Sequence, residues 1–278
     1  MSINGRVSVI VPTRNNERTI EACLQSVLAQ DYPDFELLVV DNSSSDGTAE
    51  IAQKLAHKFF TAGPERSAQR NRGILESAGE WILWLDSDMI LPPNSVSLAV
   101  QTANEQGVIG VALPERTIGS GFWTACRALE RECYLNAPWL HNPRLLNRDF
   151  MLSDGAFDEA MSGPEDTDLR FSMREAGLPI ALADIVIDHD EGHLTLKEIM
   201  EKRYYYGLSI PVLQQEHDAA ISTQRSEVLK AYTQNWKHLA RRPVHAAGMV
   251  FMRVLEAAGY LIGARAGAKR LSQVEQGQ

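Results

Sequence analysis

Cysteines and long uncharged apolar runs are scarce in this sequence. Its three cysteines, Cys23, Cys126 and Cys133, neither follow a metal-ligand spacing nor form an even disulfide set. No stretch of about 18 uncharged apolar residues occurs, which argues against a membrane-spanning helix. Residues 1–6 lack the basic-then-apolar pattern of a signal peptide. Because free thiols fit a reducing compartment, we expect a cytoplasmic protein.

A positive net charge is also lacking. The formal charge of −9 argues against a nucleic-acid partner, since nucleic-acid-binding proteins present basic surfaces. The charge is unevenly distributed. From Trp236 onward seven basic residues outnumber two acidic ones, a balance of +5 within a chain of −9. This asymmetry is typical of a basic appendage with a partner of its own.

A glycine-rich phosphate loop is missing after the first predicted strand. Residues 12–17 read Pro-Thr-Arg-Asn-Asn-Glu and contain no glycine. A dinucleotide-dependent dehydrogenase would show Gly-x-Gly-x-x-Gly here, and a nucleotidyltransferase would show a glycine-rich basic loop. Both classes are disfavoured, and the nucleotidyltransferase stays the nearest enzymatic alternative.

Strand and helix signals alternate along the first part of the chain. The predicted strands are Val7–Val11, Phe35–Val40, Phe59–Phe60 and Trp81–Leu85. The predicted helices between them are Glu17–Leu28, Asp46–Lys58 and Glu65–Ser77. Alternation at this spacing favours right-handed βαβ units and hence an α/β fold with a mostly parallel sheet.

The later part of the chain is more helical. Residues 118–147 are predicted to be helical with irregular stretches, and a strand is predicted over 180–187. Helices are expected over 165–176 and 195–207, and only helices after Pro211. We therefore predict an enzymatic domain over residues 1–210 and a helical C-terminal appendage over residues 211–278.

The triplet Asp86-Ser87-Asp88 ends the buried strand pattern that begins at Trp81. Open α/β sheets bind ligands at the carboxyl ends of their strands. Carboxylates are costly to desolvate there unless a cation or hydrogen bonds compensate them. One interpretation is a divalent cation that bridges to a diphosphate; the other is an ordinary acidic loop.

Five motifs follow one another along the chain. They are Val9-Ile10-Val11-Pro12-Thr13-Arg14-Asn15, residues 39–48, Arg70-Asn71-Arg72-Gly73, the Asp-x-Asp triplet Asp86-Ser87-Asp88, and Gly163-Pro164-Glu165-Asp166-Thr167-Asp168. In this order they resemble the motif series of the family 2 glycosyltransferases, and the resemblance covers residues 6–207. It implies the Rossmann-like GT-A fold, the use of nucleotide sugars and inversion of the anomeric centre.

The resemblance implies a set of donor-nucleotide residues. They are Pro12, Thr13, Arg14, Asp41, Arg70 and Asp86. A carboxylate at Asp41 could accept from a uracil imide N–H, and a guanidinium at Arg70 could bind a diphosphate. The alternatives are that Asp41 serves a turn before a helix cap, and that Arg70 is a surface-helix arginine. Asp46 and Ser45 are expected to cap the helix that follows them.

The resemblance also implies a metal site and a general base. Asp88 would bind Mn²⁺ or Mg²⁺, since oxygen ligands favour hard cations. His189 is the expected further ligand and His193 its competitor, although a structural role is open for either. Asp166 is the expected general base for the acceptor hydroxyl.

Glu165 and Asp168 are the acceptor-side candidates, because neighbouring carboxylates would raise the pKa of Asp166. The alternative is that all three carboxylates serve the N-terminal dipole of a helix.

The segment Val244–Ala268 is apolar except mainly for Arg253, Glu256 and Arg265, which we expect near one stripe of a helix. A broad apolar face with basic flanks favours a helix that lies on an anionic membrane, at the inner face of the cell membrane. The alternative is a helix packed on the enzymatic domain or on a second copy.

We therefore predict a metal-dependent, hexosyltransferase-like enzyme that uses a UDP-sugar and acts on a lipid-linked or cell-envelope glycan. A catalytically silent nucleotide-sugar-binding or membrane-scaffold homologue is the alternative of another class, and a homo-oligomer is left open.

Overall fold

The computed structural model of the protein describes residues 5–153, 156–159, 161 and 163–276. The chain divides into two units. The first comprises residues 1–116, 141–159 and 173–190, and the second comprises residues 117–140, 160–172 and 191–278. The domain boundary that we predict at residue 210 lies within the second unit and stays a prediction.

The strands are β1 (Val7–Thr13), β2 (Phe35–Asp41), β3 (Lys58–Thr61), β4 (Trp81–Trp84), β5 (Met89–Ile90), β6 (Gly110–Ala112), β7 (Glu115–Ser120), β8 (Pro143–Asn147), β9 (Ile180–Leu182) and β10 (Ile187–His193). The helices are α1 (Ile20–Leu28), α2 (Thr48–Leu55), α3 (Arg66–Glu76), α4 (Ser95–Gln106), α5 (Phe122–Tyr134), α6 (Arg148–Ser153), α7 (Glu165–Glu175), α8 (Leu196–Gly207), α9 (Ile210–Gln234), α10 (Trp236–Arg241) and α11 (Pro243–Gln276). A 3₁₀ turn covers Pro138–Leu140.

A seven-stranded sheet forms the centre of the first unit, in the order β3-β2-β1-β4-β8-β6-β9. The strands β1 to β4 are parallel, as the alternation predicts. Nearly all residues of β1, β2 and β4 are buried, as expected of strands inside a parallel sheet, whereas β3 at the sheet edge is partly exposed. Neighbouring strand ends align, with Thr13 opposite Asp41. The motif residues after β1, β2 and β4 therefore share one edge of the sheet.

The prediction of helix over residues 118–147 is wrong at its ends. Residues up to Ser120 belong to β7, and Pro143–Asn147 form β8, which runs antiparallel between β4 and β6. Its buried Leu145 and Leu146 contribute to the sheet centre. A five-residue strand that starts at a proline and contains an arginine has no periodicity to distinguish it from a broken helix.

The helix α3 lies close to β1, and Gly73 makes this approach possible. A Cβ atom at Gly73 would lie 2.4 Å from Cγ2 of Ile10, so a larger residue would push the helix off the sheet. The motif glycine therefore has a packing role that sets the position of Arg70 one turn earlier.

The single strand predicted over residues 180–187 is two strands in the structure. β9 pairs with β6 in the large sheet, whereas β10 belongs to a three-stranded sheet in the order β5-β10-β7. The backbone hydrogen bonds show where the chain changes sheet. The N–H of Ala183 donates to the carbonyl oxygen of Ala112 at the end of β6, whereas the N–H of Ile187 donates to that of Pro114, just before β7. As a result Asp188 and His189 lie within a strand rather than after one.

The second unit is helical after residue 195, as predicted. Cys126 of α5, Ile199 of α8 and Met249 and Met252 of α11 form one of its apolar clusters. The helices α8 and α11 approach closely at glycines, because a Cβ at Gly263 would lie 2.2 Å from the carbonyl oxygen of Tyr204.

The prediction of one charged stripe on α11 is wrong. Glu256 is only 1% exposed, Arg253 is half-buried and Arg265 is exposed. Glu256 accepts hydrogen bonds from Arg127 of α5 and Arg203 of α8. Glu256 and its ion pairs therefore face inward on this helix while several apolar side chains face outward, which the sequence of α11 alone does not reveal.

Candidate active site

The end of β1 carries Thr13, a residue of the predicted nucleotide site. The side chain of Thr13 is buried, yet its Oγ1 makes no hydrogen bond with any residue that the structure describes. A buried hydroxyl without a partner is costly, so a ligand atom at this position would relieve the cost. Pro12 is buried within β1, and Arg14 is exposed just beyond the strand.

Gln69 of α3 joins the ends of the first two strands and is not part of our predicted site. Its side-chain amide donates to the carbonyl oxygens of Thr13 (2.9 Å) and Val40 (2.6 Å). The buried glutamine fixes the edge of the sheet where the predicted nucleotide residues lie. No sequence motif distinguishes it from a surface glutamine on a helix.

Asp41, at the end of β2, has a clear turn role. Its Oδ2 accepts from the backbone N–H of Ser44 at 2.8 Å, and its Oδ1 accepts from the Ser44 hydroxyl. This is the Asx-type turn that we consider as the alternative. A carboxylate offers about four acceptor sites, so contact with a base stays a prediction. Asp46 precedes the N-cap residue of α2, which is Gly47, and its Oδ1 accepts from the N–H of Thr48 at 3.1 Å.

Asp86, at the end of the β4 run, lies among three arginines. Arg70 Nη2 is 3.0 Å from its Oδ1, Arg66 Nη1 is 3.6 Å from the same oxygen, and Arg144 Nη2 is 3.6 Å from its Oδ2. Burial alone would raise the pKa of Asp86, but the charges of Arg70, Arg66 and Arg144 outweigh it and hold the pKa well below its usual value. Asp86 is therefore ionised at every physiological pH.

Arg70 is fully buried rather than a surface-helix residue. Its guanidinium carbon lies 4.1 Å from the centre of the Trp84 ring and 5.0 Å from that of Phe157. Asn71 holds Phe157 in place, because its side-chain amide exchanges two hydrogen bonds of 2.8 Å with the Phe157 backbone. In the Arg-Asn-x-Gly motif, Asn71 thus positions an aromatic ring that packs against the guanidinium of Arg70 and restricts its movement.

Arg144 of β8 is a functional candidate that our sequence reasoning missed. Its guanidinium carbon lies 4.5 Å from the centre of the Trp84 ring, and its Nε donates to Glu115 at 2.9 Å. Together with Arg66 and Arg70, it makes three guanidinium groups around one carboxylate. The surplus positive charge suits a diphosphate.

Asp88 and His189 meet in the first unit. Backbone pairing places them together, because His189 is opposite Met89 and the Asp190 N–H donates to the Asp88 carbonyl oxygen at 2.7 Å. His189 Nε2 lies 3.3 Å from Asp88 Oδ2, and His189 Nδ1 lies 3.1 Å from Glu115 Oε2. A carboxylate on Nδ1 fixes the ring so that Nε2 points toward Asp88.

This donor set fits a divalent cation. One carboxylate and one imidazole nitrogen converge, and a second carboxylate orients the imidazole. His193, the competing ligand in our prediction, instead lies against Gly121 in the second unit. A Cβ atom added at Gly121 would lie only 2.5 Å from Cε1 of the His193 ring. The geometry therefore supports His189 as the candidate ligand.

The remaining predicted residues lie at the start of α7, in the second unit. Glu165 is 1% exposed, and Asp166 and Asp168 are partly exposed. Asp168 Oδ1 lies 2.9 Å from Nε2 of His217, a buried residue at a kink in α9. All three carboxylates lie in the first turn of the helix, where its dipole stabilises negative charge.

The mostly parallel sheet flanked by helices places the protein in the class of GT-A folds. The family model for Glycosyl transferase family 2 matches residues 8–159. The chain therefore belongs to glycosyltransferase family 2, which confirms the resemblance and the fold class.

Curated relatives match part of the chain. A GalNAc(5)-diNAcBac-PP-undecaprenol beta-1,3-glucosyltransferase of Campylobacter jejuni is 34% identical over 110 residues, which are 36% of this chain and 35% of that protein. Glycosyltransferase AglE of Haloferax volcanii is 37% identical over 111 residues, 37% of this chain and 36% of that protein. The matches thus span about a third of the relatives' length.

Solved structures share the fold over most of the chain. The mannosyltransferase PcManGT of Pyrobaculum calidifontis, in complex with GDP-Man and Mn²⁺, has a TM-score of 0.60 at 20% identity, over 95% of this chain and 86% of that one. Residues 1–349 of Staphylococcus aureus TarS, in complex with UDP, give a TM-score of 0.55 at 17% identity. This match covers 98% of the present chain and 92% of the TarS chain.

Proposed function

We propose that the chain is an inverting glycosyltransferase that moves a sugar from a nucleotide-diphosphate sugar to an acceptor hydroxyl. The observation that carries this proposal is the convergence of Asp88 and His189, with Glu115 behind the imidazole, in a family 2 chain. The same unit holds three arginines around Asp86.

The first unit binds and orients the donor in this proposal. Arg70 and Arg144 bind the diphosphate, and Trp84 and Phe157 prevent Arg70 from turning away. A divalent cation, Mn²⁺ or Mg²⁺, would be held by Asp88 and His189 and would neutralise the charge that develops on the leaving diphosphate. Asp86 stays ionised, so it keeps the guanidinium groups in position and can accept from a sugar or ribose hydroxyl.

UDP is the proposed nucleotide. The Thr13 hydroxyl and the Asp41 carboxylate can pair with the imide face of uracil, which offers one N–H donor between carbonyl acceptors. TarS, which shares the fold, has been solved with UDP and with UDP-GlcNAc, and this supports the choice. PcManGT has been solved with GDP-Man, so guanine is the competing base.

Asp166 is the proposed general base. It would take the proton of the acceptor hydroxyl as that oxygen displaces the diphosphate from the opposite face of the sugar. The buried Glu165 beside it, and Asp168 held by His217, are the groups that would tune it. Asp166→Asn should abolish transfer and leave nucleotide binding intact, whereas lost binding or retained turnover would contradict the assignment.

The acceptor is proposed to be membrane-linked. The outward face of α11 is apolar, with Val250, Phe251, Val254 and Ile262 at least half exposed. Basic residues flank it at Arg241 and Arg242 and at Lys269. Pro243–Lys269 is long and apolar enough to cross a membrane by length and composition, although core helices of soluble proteins meet the same criteria. The ion pairs of Glu256 favour a helix that lies on the membrane surface.

Calorimetric titration tests the donor proposal. UDP, GDP, dTDP and CMP are titrated into the full chain with and without Mn²⁺, beside Asp88→Ala. Asp188→Asn is the matched control, since Asp188 precedes His189 on β10 but pairs with Arg116. Mn²⁺-dependent binding of UDP that is lost only in Asp88→Ala supports the proposal. Preference for another nucleotide corrects the donor, and no binding at all would favour the membrane-scaffold homologue.

A further inference from the structure

The second unit contains an apolar cavity of about 570 Å³, formed by α7, α9 and α11. Phe171, Ile210, Leu213, Ile221 and Leu261 supply most of its apolar wall. A volume of this size is within the range of ligand-binding pockets. The acidic residues at the start of α7 do not line this cavity, so the proposed chemistry does not account for it.

One cation lies on the rim of the cavity. Arg225 of α9 lines it and is exposed, and it makes no ion pair with any part of the chain that the structure describes. The neighbouring amide of Gln224 is engaged, because its Oε1 accepts from Arg170 at 2.6 Å. An apolar wall with one uncommitted guanidinium suits an amphiphile that carries an anionic group.

The cavity continues into the apolar face of α11. Leu261 lines the cavity and is also 61% exposed on the outward face of the helix. Ala257, one turn earlier, lines the cavity and is exposed as well. A hydrocarbon chain could therefore pass from an apolar surface into the cavity without crossing polar side chains.

The cavity also borders the helix of the proposed general base. Thr167 of α7 lines it and directly follows Asp166 in the sequence. A lipid chain in the cavity would therefore be held along the element that is proposed to activate the acceptor. This juxtaposition distinguishes the cavity from a packing defect elsewhere in the molecule.

We infer that this cavity binds a single hydrocarbon chain of a phosphate-bearing lipid acceptor, with Arg225 at the phosphate. The inference deepens the proposed function, because it names the chemical class of the acceptor. Each methylene that leaves water contributes about 0.8 kcal/mol, so affinity should rise steeply with chain length until the cavity is full.

Alkyl phosphates test the inference with the full chain. Octyl and dodecyl phosphate are titrated calorimetrically below the concentrations at which they form micelles. We expect saturable binding of both ligands, with an affinity for dodecyl phosphate at least tenfold higher than that for octyl phosphate. Ala257→Trp should fill the cavity and weaken the binding of dodecyl phosphate at least tenfold. Ala247→Trp is the control and should leave this binding unchanged, because Ala247 is an exposed alanine of the same helix outside the cavity.

The head group is tested separately. Arg225→Gln should weaken the binding of dodecyl phosphate several-fold. It should leave unchanged the binding of dodecyl maltoside, which has the same hydrocarbon chain and no charge. Competition by inorganic phosphate alone would show a free-phosphate site and overturn the lipid assignment. Equal affinity of Ala257→Trp and the wild type, or binding that does not saturate, would overturn the cavity assignment.

A UDP titration of the same variants separates this inference from the proposed function. Ala257→Trp should bind UDP as the wild type does, since the nucleotide residues belong to the first unit. If UDP binds but dodecyl phosphate does not, only the cavity inference fails. If no nucleotide binds to the wild type, the proposed function fails.

Discussion

His189 Nε2 lies 3.3 Å from Oδ2 of Asp88, and the opposite ring nitrogen lies 3.1 Å from Glu115. Glu115 thus has no direct part in the proposed cation site but determines how His189 presents its nitrogen. The same carboxylate accepts from Arg144, so it links the metal-site candidate to the arginine group.

Glu115→Gln should weaken Mn²⁺ binding by about 10- to 100-fold, the usual cost of losing such an orienting partner. The amide can still hydrogen-bond the ring but no longer stabilises the Nδ1 proton by charge. The Mn²⁺ concentration at half-maximal nucleotide binding measures the effect. Glu105→Gln, on the exposed end of α4, is the control. An unchanged Mn²⁺ requirement would remove Glu115 from the site.

The sequence predicted that Thr13, Asp41 and Asp86 lie at strand ends, because each comes at the end of a short apolar run bounded by turn residues. It did not predict Glu115 and Arg144. Both lie on short strands, β7 and β8, whose positions depend on pairing with distant segments rather than on local periodicity.

The same limit explains α11. Its sequence shows an apolar segment with a few charges, and the charges alone suggest an outward polar side. The partners of Glu256 are Arg127 and Arg203, more than 50 residues away in sequence. Only the packed structure shows that the ion pairs are internal and the valines external.

Arg70→Gln should destabilise the first unit by about 3 kcal/mol, because it removes a buried partner of the ionised Asp86. It also leaves Trp84 and Phe157 without the guanidinium between them. Urea denaturation measures the free energy of unfolding. Arg72→Gln is the control, since Arg72 is exposed and pairs within its helix. Equal unfolding midpoints for the two variants would contradict this account of Arg70.

Glu256 should make stability pH-dependent below pH 4.5. Burial alone would raise its pKa, but Arg203, Arg127 and Arg253 outweigh it and lower the pKa to about 2 from 4.5. A lowered pKa means that the stabilisation is complete above pH 4.5 and is lost as the pH falls toward 2. The difference corresponds to about 3 kcal/mol.

The pH dependence is measured by urea denaturation between pH 6 and pH 3. In Glu256→Gln the stability at pH 6 should be lower, and the fall between pH 5 and pH 3 should be shallower than in the wild type. Glu201→Gln is the control, because Glu201 is an exposed residue of α8. Parallel pH profiles for the wild type and Glu256→Gln would show that the buried ion pairs do not retain their charges.

The outward face of α11 should determine membrane binding. Val250→Ser and Val254→Ser each remove an exposed apolar side chain, and burial of a valine contributes about 1.5 kcal/mol or more. Each variant should therefore bind phosphatidylglycerol vesicles about tenfold more weakly in a sedimentation assay. Leu229→Ser is the control, since Leu229 is an equally exposed apolar residue on α9.

Salt dependence distinguishes the contributions to this binding. The flanking residues Arg241 and Lys269 act through charge, whereas Arg242 is paired with Glu132. Wild-type binding to vesicles should therefore weaken as ionic strength rises, and at each salt concentration the serine variants should bind more weakly than the wild type by the same factor. If vesicle binding is unchanged in the serine variants while the sedimentation coefficient falls to that of a smaller species, α11 is an interface between copies. The apolar face then serves assembly, and the lipid would have to reach the enzyme by another surface.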